Sequence, residues 1–229
     1  MSEPDKRRSI RSFVRREGRM TPAQTRSLAH LWPRYGIPVG EAPLDWPTVF
    51  GRRAPVIIEI GFGNGEALAA VAAEHPENNY LGIEVHRPGA GSLLRLLEAG
   101  QLSNVRIMLA DAKEVLDAQI PDASLTAVHL FFPDPWPKRR HHKRRLVQPD
   151  FAALTVRKLI PGGYFHLATD WQDYAEHMAA VLSRTPGLAD VSGSVRFSAL
   201  ATSRRQTRFE RRGRRLGHAV RDLVFQRAD

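Results

Sequence analysis

Three glycines fall within five residues in Gly61-Phe62-Gly63-Asn64-Gly65, and a carboxylate, Glu59, stands two positions ahead of them. Glycine has no Cβ, so backbone built from it can pass close to a ligand. The spacing is G-x-G-x-G, not the G-x-G-x-x-G of a pyrophosphate-cradling dinucleotide loop, and the preceding acid disfavours a pyrophosphate while favouring a cation. Glycine turns between a strand and a helix also serve plain packing, so the loop alone leaves both readings open.

The acid is repeated. Short apolar runs end at Glu59, at Glu84, at Asp111-Ala112 and, through Phe131-Phe132-Pro133, at Asp134. Glu84 comes about twenty residues after the glycine loop, where a carboxylate accepts the hydroxyls of an adenosine ribose, a feature that suits NAD as well. Asp111 and Ala112 are placed to meet an adenine edge. Acids that served only surface ion pairs would be scattered along helices, whereas these close successive apolar segments and so mark a cofactor cleft. A sulfonium donor, S-adenosylmethionine, fits the cation-favouring loop. The expected cofactor residues are Glu59, Gly61, Gly63, Gly65, Glu84, Asp111, Ala112 and Asp134. For Asp134 the competing reading is a turn or helix-cap carboxylate, which Asp-Pro often is.

Elements that would position these residues alternate regularly. VIIEI from Val56 leads through the loop to an alanine-rich helix, Glu66 to Glu74. Four further units follow: YLGIEV with a helix near Gly91 to Ala99, VRIMLA with Ala112 to Ala118, LTAVHLFF with Pro149 to Leu159, and YFHLATD with Trp171 to Leu182. Such alternation predicts an α/β fold with a doubly wound, mostly parallel sheet and right-handed crossovers. Strands around Val191 to Phe197 and His218 to Phe225 would bring the sheet to seven. Residues 1–50 contain turn formers and one helical stretch near Pro22 to Trp32; they read as a basic arm ahead of a domain spanning 51–229.

The chain has 229 residues, a net charge of +10 and no cysteine, which excludes disulfides, thiol catalysis and cysteine-ligated metals and fits a reducing, cytoplasmic setting. No apolar run reaches the roughly 18 to 20 residues that span a bilayer, so no membrane partner is expected. Positive charge is segregated: eight Lys/Arg lie in residues 1–26, six in 138–145 and seven in 204–215, while the other 183 residues hold 13 basic and 20 acidic side chains. That pattern points to a polyanion, because each neutralised phosphate releases condensed counterions. Arg outnumbers Lys 29 to 5, which suits forked phosphate contacts and is equally what a GC-rich genome produces. His141 and His142 have no nearby third ligand, so they are read as part of a basic loop and no metal is expected. Nothing specifies an oligomeric state.

The stretch Phe132-Pro-Asp-Pro-Trp-Pro-Lys138, followed by Arg140-His-His-Lys-Arg-Arg145, closely resembles the bacterial tRNA (guanine-N(7)-)-methyltransferases, a family of class I S-adenosylmethionine-dependent enzymes with a Rossmann-like fold. RSFVRREGR, IEIGFGNGE, IEVHRPG, GGYFHLATDWQDYAEHM, Thr207-Arg208-Phe209-Glu210 and GHAVRDLVF carry the likeness from about residue 10 to the end. The resemblance implies methylation of a guanosine in the tRNA variable loop, with Glu59, Glu84, Asp111 and Asp134 at the cofactor. It assigns Lys138, Asp170, Thr207, Arg208, Phe209 and Glu210 to the substrate, and Arg140, His141, His142, Lys143, Arg144 and Arg145 to RNA. Family members commonly have proline two residues before the threonine, where this chain has Arg205.

The chemistry suits the same roles. Guanine N7 carries a free lone pair near neutral pH, so attack on a methyl carbon needs placement and charge accommodation more than a general base. Asp134 is thus the expected catalytic residue, acting on the guanine or on the cofactor's amino group. Trp136 is either a platform for an unpaired base or a core residue. Asp170, after a strand and before a helix, also has the character of an N-cap. Rival readings are a methyltransferase for a nucleobase amine or protein side chain, which favours Asn/Asp-Pro-Pro-aromatic where this chain has Asp-Pro-Trp; an NAD-dependent oxidoreductase; and a non-catalytic RNA-binding protein on the same scaffold.

Overall fold

Every side chain of Val56–Ile60 is buried, and successive ones point into different cores, so this strand (β1) is sandwiched on both faces. The computed structural model describes residues 12–13, 19–193, 204–207, 210–211, 217 and 219–228. After helices α1 (Pro22–Tyr35) and α2 (Trp46–Phe50), the order is β1, α3 (Glu66–Glu74), β2 (Asn79–Glu84), α4 (Arg87–Ala99), β3 (Val105–Leu109), α5 (Ala112–Ala118) and β4 (Leu125–Phe131). A 3-10 turn at Arg139–Arg144 precedes α6 (Pro149–Lys158), β5 (Leu159–Thr169), α7 (Gln172–Ser183), β6 (Leu188–Asp190) and β7 (Arg221–Arg227).

The strands form one seven-stranded sheet in the order β3-β2-β1-β4-β5-β7-β6. Five are parallel; β7 runs antiparallel to both β5 and β6. The doubly wound expectation therefore holds, with the order reversing between β1 and β4, where such sheets open a crevice beyond their carboxyl ends. One core joins Ile58, Ile60 and Leu130 to Val115, Phe151 and Met178 beneath α5, α6 and α7. The other joins Ile57, Tyr80 and Ile107 to Leu68, Leu93 and Leu97 beneath α3 and α4.

Local chemistry sets several boundaries. Thr21 and Gln24 form a reciprocal capping box at the start of α1, with Pro22 at its first position. Beyond α1, Gly36 bridges to Ile107 and the Ile37 amide donates to the Ile107 carbonyl (2.8 Å), covering the β3 edge of the sheet. Leu28, Leu31 and Trp32 pack against the second core. Thus Tyr35, Ile37 and Phe50, all ahead of β1, are buried in the same fold.

The last two strands differ from expectation. Within the predicted Val191 to Phe197, residues 191–193 are not strand and 194–197 lie outside the described residues. The ladder is instead made three residues earlier, at Leu188–Asp190, and the Asp190 carboxylate then accepts the Ser192 amide in a turn that ends it. The final strand runs Arg221–Arg227, not His218 to Phe225: His218 is outside the described residues, and the pairing with β5 begins where Arg221 meets Thr169.

Candidate active site

The carboxyl ends of β1, β2, β3 and β4 bring Glu59, Glu84, Asp111 and Asp134 to one edge of the sheet. Gly61, Gly63 and Gly65 all have positive φ (74°, 61° and 79°), which explains glycine at each. Their surroundings divide the two readings of the loop. A Cβ on Gly65 would lie 2.5 Å from Leu93 Cβ, so Gly65 is required by the packing of α3 on α4. At Gly61 and Gly63 an added Cβ meets no atom within 4 Å, so these two border open space that a ligand would fill.

Glu84 braces that loop. Its carboxylate accepts the Gly63 amide at 3.0 Å, the Val85 amide at 2.7 Å and the His86 amide at 3.1 Å. Asp111 caps α5 by accepting the Lys113 amide (2.9 Å), and Ala112 is buried behind it. Glu59 is only 6% exposed, and among the described residues no hydrogen bond reaches its carboxylate. Burial pushes its pKa up to about 7, with the Glu84 carboxylate adding to the rise and the Arg204 cation opposing it. A buried carboxylate that takes no hydrogen bond among the described residues, beside an open glycine cradle, is the donor set a cationic ligand requires, so these residues fit S-adenosylmethionine.

A polar row crosses the sheet at the same level, since Glu59 pairs with His129 and His129 with His166. His129 is half-buried but its Nε2 is covered and has no hydrogen-bond partner among the described residues, and desolvation lowers its pKa to about 3, so it is neutral. The His166 Nε2 is 2.8 Å from an Asp222 oxygen. Arg204 completes the row: its Nε donates to Asp222 (2.9 Å), its NH1 donates to Glu210 (2.7 Å), and its guanidinium lies over Phe131 and Phe132. Burial works against the Asp222 carboxylate, but its bonds to His166 and Arg204 outweigh that and hold it below the usual range.

The turn after β4 is unusual backbone. Phe132 and Trp136 both adopt positive φ, 53° and 48°, although neither is glycine, and between them lie Pro133, the exposed Asp134 and Pro135. Such conformations cost about 1 to 3 kcal/mol each and persist where the surroundings enforce them. Trp136 is half-buried; its Nε1 donates to the Ser12 carbonyl (3.1 Å), and Arg144 stands over its ring at 4.9 Å. The indole is thus neither a plain core residue nor an uncovered platform. Lys138 precedes the 3-10 turn, and Arg140, Lys143 and Arg144 are exposed on it. His141 edges onto Trp136, while His142 Nε2 faces Arg145 at 3.1 Å.

Arg145 departs from the RNA-facing expectation. It is 2% exposed, donates to the Pro135 carbonyl (3.0 Å) and to Asp173, and lies over the Tyr174 ring. It braces the loop from inside. Asp170 is also not an N-cap; Trp171 holds that position in α7, and the Trp171 amide donates to Thr169 Oγ1 (3.2 Å). Asp170 lines a cleft of about 510 Å³ with Trp171, Gln172, Asp173, Ala219 and Arg221. Thr207 Oγ1 accepts the Glu210 amide (3.1 Å) and so starts a helical turn; Arg208 and Phe209 lie outside the described residues. Arg211 and Arg205 reach Glu66 and Glu74 of α3, so this segment is tied to the helix that follows the glycine loop.

The family model described as "Putative methyltransferase" matches residues 53–223. A tRNA (guanine-N(7)-)-methyltransferase of Alkalilimnicola ehrlichii is 59% identical over 97% of this chain and 94% of its own length. The enzyme of the same name from Salmonella typhimurium is 53% identical over 96% of this chain and 92% of its own. The chain belongs to the tRNA (guanine-N(7)-)-methyltransferase family. In fold it is also similar to the 16S rRNA methyltransferase KamB, with a TM-score of 0.55 and 14% identity over 80% of this chain and 93% of that one. Among this family member's described residues, no helix is long and apolar enough to cross a membrane, and no three His, Cys, Asp or Glu are grouped to hold a metal ion.

Arg204, Asp222, His166 and His129 were not anticipated as site residues. Arg204 is one arginine among seven in a basic window, and Asp222 is one of four polar residues in a seven-residue strand; the antiparallel pairing of β7 with β5 brings Asp222 to His166, and Arg204 bonds to it from outside the strands.

Proposed function

We infer that this chain is a tRNA (guanine-N(7)-)-methyltransferase that uses S-adenosylmethionine. The observation that carries the reading is 59% identity, over nearly the full length of both chains, to an enzyme of that name; four strand-end acids, Glu59, Glu84, Asp111 and Asp134, support it. When bound, the cofactor supplies a methyl group made electrophilic by its sulfonium.

The chain's own residues divide the remaining work. Glu59 and the open stretch Gly61 to Gly63 hold the cationic end of the cofactor; Glu84, while bracing Gly63, keeps oxygen lone pairs for the ribose, and Asp111 with Ala112 meets the adenine. Asp134, presented on the strained Phe132 to Trp136 turn, orients the guanine and favours the positive charge that N7 acquires. No base has to remove a proton first. Lys138, Asp170 and the Thr207 to Glu210 turn hold the nucleoside. Arg140, His141, His142, Lys143 and Arg144 face the tRNA backbone, joined by the basic side chains of residues 1–50, a segment whose later part packs on the domain at 51–229. The Ser12 contact with Trp136 supports that assignment. The reaction belongs in the cytoplasm, where the substrate is found.

The test is incubation with unmodified tRNA and methyl-labelled cofactor, followed by nucleoside analysis. N7-methylguanosine from the variable loop is expected. Label on an exocyclic amine, or none at all, overturns the reading.

A further inference from the structure

Arg204 is the point where four separate parts of the site meet. Its side chain is almost wholly buried, and its guanidinium forks onto Asp222 of β7, with Nε at 2.9 Å from one oxygen and NH2 at 3.3 Å from the other. Its remaining edge donates to Glu210 at 2.7 Å. Its guanidinium carbon lies 5.1 Å from the Phe131 ring centroid and 5.6 Å from that of Phe132, the residue whose left-handed backbone starts the turn bearing Asp134. Asp222 is itself fixed from β5 by His166 at 2.8 Å.

We propose that Arg204 is a positioning residue for methyl transfer, its planar guanidinium setting the Phe131–Pro135 turn against the Thr207–Glu210 turn. The proposal rests on the methyltransferase reading above. A fork that bonds two carboxylates while its cationic carbon lies over two aromatic rings ties the β4 turn, the Glu210 segment and β7 together. Lysine keeps the charge and reaches one acceptor, but has no fork. Arg204 thus acts through Phe132 on Asp134 and through Glu210 on the substrate turn, and touches neither reacting atom.

Full-length R204K, D222N and the double variant provide the test, with single-turnover methylation of unmodified tRNA at saturating cofactor, calorimetric cofactor affinity and thermal melting measured on each. Lysine preserves the positive charge that Glu59 and His129 sense, so cofactor affinity should stay within about twofold. The methyl-transfer rate should fall on the order of 30-fold in R204K, because misplacement of a reacting group by a fraction of an ångström costs that much. D222N should lose a similar factor. The double variant should fall no further than either single, since residues acting as one unit are not additive. A folded R204K that turns over like the parent, or losses that multiply in the double variant, overturns the proposal. So does a rate loss accompanied by an equal loss of cofactor affinity, which marks general destabilisation. If R204K melts below the assay temperature, D222N, which keeps side-chain shape, decides by the same criteria. A parent that forms no N7-methylguanosine refutes the functional reading, and this proposal with it.

Discussion

The two halves of the site are built on different physical terms. On the β1, β2 and β3 side, ligand-facing groups are short and local: glycines in the conformations only they adopt freely, a carboxylate on backbone amides, a helix cap. On the β4, β5 and β7 side, shape is held by long-range side chains, with Arg204 on Asp222, Arg145 on Asp173 and Trp136 on Ser12. One half is a preformed cradle for a small cation. The other is an assembled frame for a large polyanion, carrying backbone strain at Phe132 and Trp136 that the first half places only on glycine. Disturbing the first should therefore change cofactor affinity, and disturbing the second should change rate or salt response.

The largest effect is expected at Asp134. Asp134→Asn keeps shape and some hydrogen bonding but removes the charge that offsets the cation forming on N7. The single-turnover rate should fall on the order of 10²-fold or more, with tRNA affinity little changed. A variant whose sole defect is weaker cofactor binding would move Asp134 into the cradle half and dissolve the contrast.

Glu84→Ala probes the cradle itself. It strands the Gly63, Val85 and His86 amides as well as losing a cofactor contact. Bonds to a charged group contribute about 1.5 to 3 kcal/mol, so cofactor affinity should drop roughly 30-fold by calorimetry. Methyl transfer at saturating cofactor should be nearly unaffected. Unchanged affinity removes Glu84 from the site.

The basic loop separates outward from inward cations. Replacing Arg140, Lys143 and Arg144 together by alanine should flatten the log affinity against log salt slope for tRNA by roughly 2 units. Arg145→Ala should leave that slope intact and lower the melting temperature, because Arg145 is buried against Pro135 and Asp173. Equal slope changes from both would show that the loop turns Arg145 outward on RNA.

These contrasts also explain what the sequence made legible. Glu59, Glu84 and Asp111 could be found because each lies at or just past the carboxyl end of its own apolar strand, so strand order in the chain places them in space. The five strand-helix units were readable for the same reason. The inward turn of Arg145 was not, since six basic residues in eight positions look alike until Tyr174 and Asp173 of α7 are placed beside one of them. Nor was the antiparallel β7 pairing that takes Asp222 to His166, which no local periodicity encodes. The short β6 had no pattern of its own; its three residues are partly or fully exposed, so alternation gave no signal.

The last expectation is the smallest and concerns Glu59. Its carboxyl has a pKa raised to about 7 in the fold, against an ordinary value of about 4.3 in an unfolded chain. Between those two values the folded protein binds more protons than the unfolded one, so this group's contribution makes stability fall as pH rises from about 4.3 and level off above 7. Cofactor affinity should move the opposite way, because only the ionised carboxylate attracts a cation: across pH 6 to 8 the ionised fraction, and the affinity with it, should rise roughly tenfold. The cofactor's own amino group titrates near 7.7 to 8.0, so the comparison must be made with Glu59→Gln, in which that titration remains and the carboxyl is gone. Parent and variant melting curves from pH 5 to 8 without cofactor, and calorimetric titrations over pH 6 to 8, give both slopes. At saturating cofactor the bound cation holds Glu59 ionised, and N7 needs no deprotonation, so the single-turnover rate should stay nearly flat from about pH 6.5 to 8.5. A rate rising log-linearly with pH there would place a titrating base in the frame half. An affinity slope shared by parent and Glu59→Gln would show that the buried carboxylate does not face the cofactor at all.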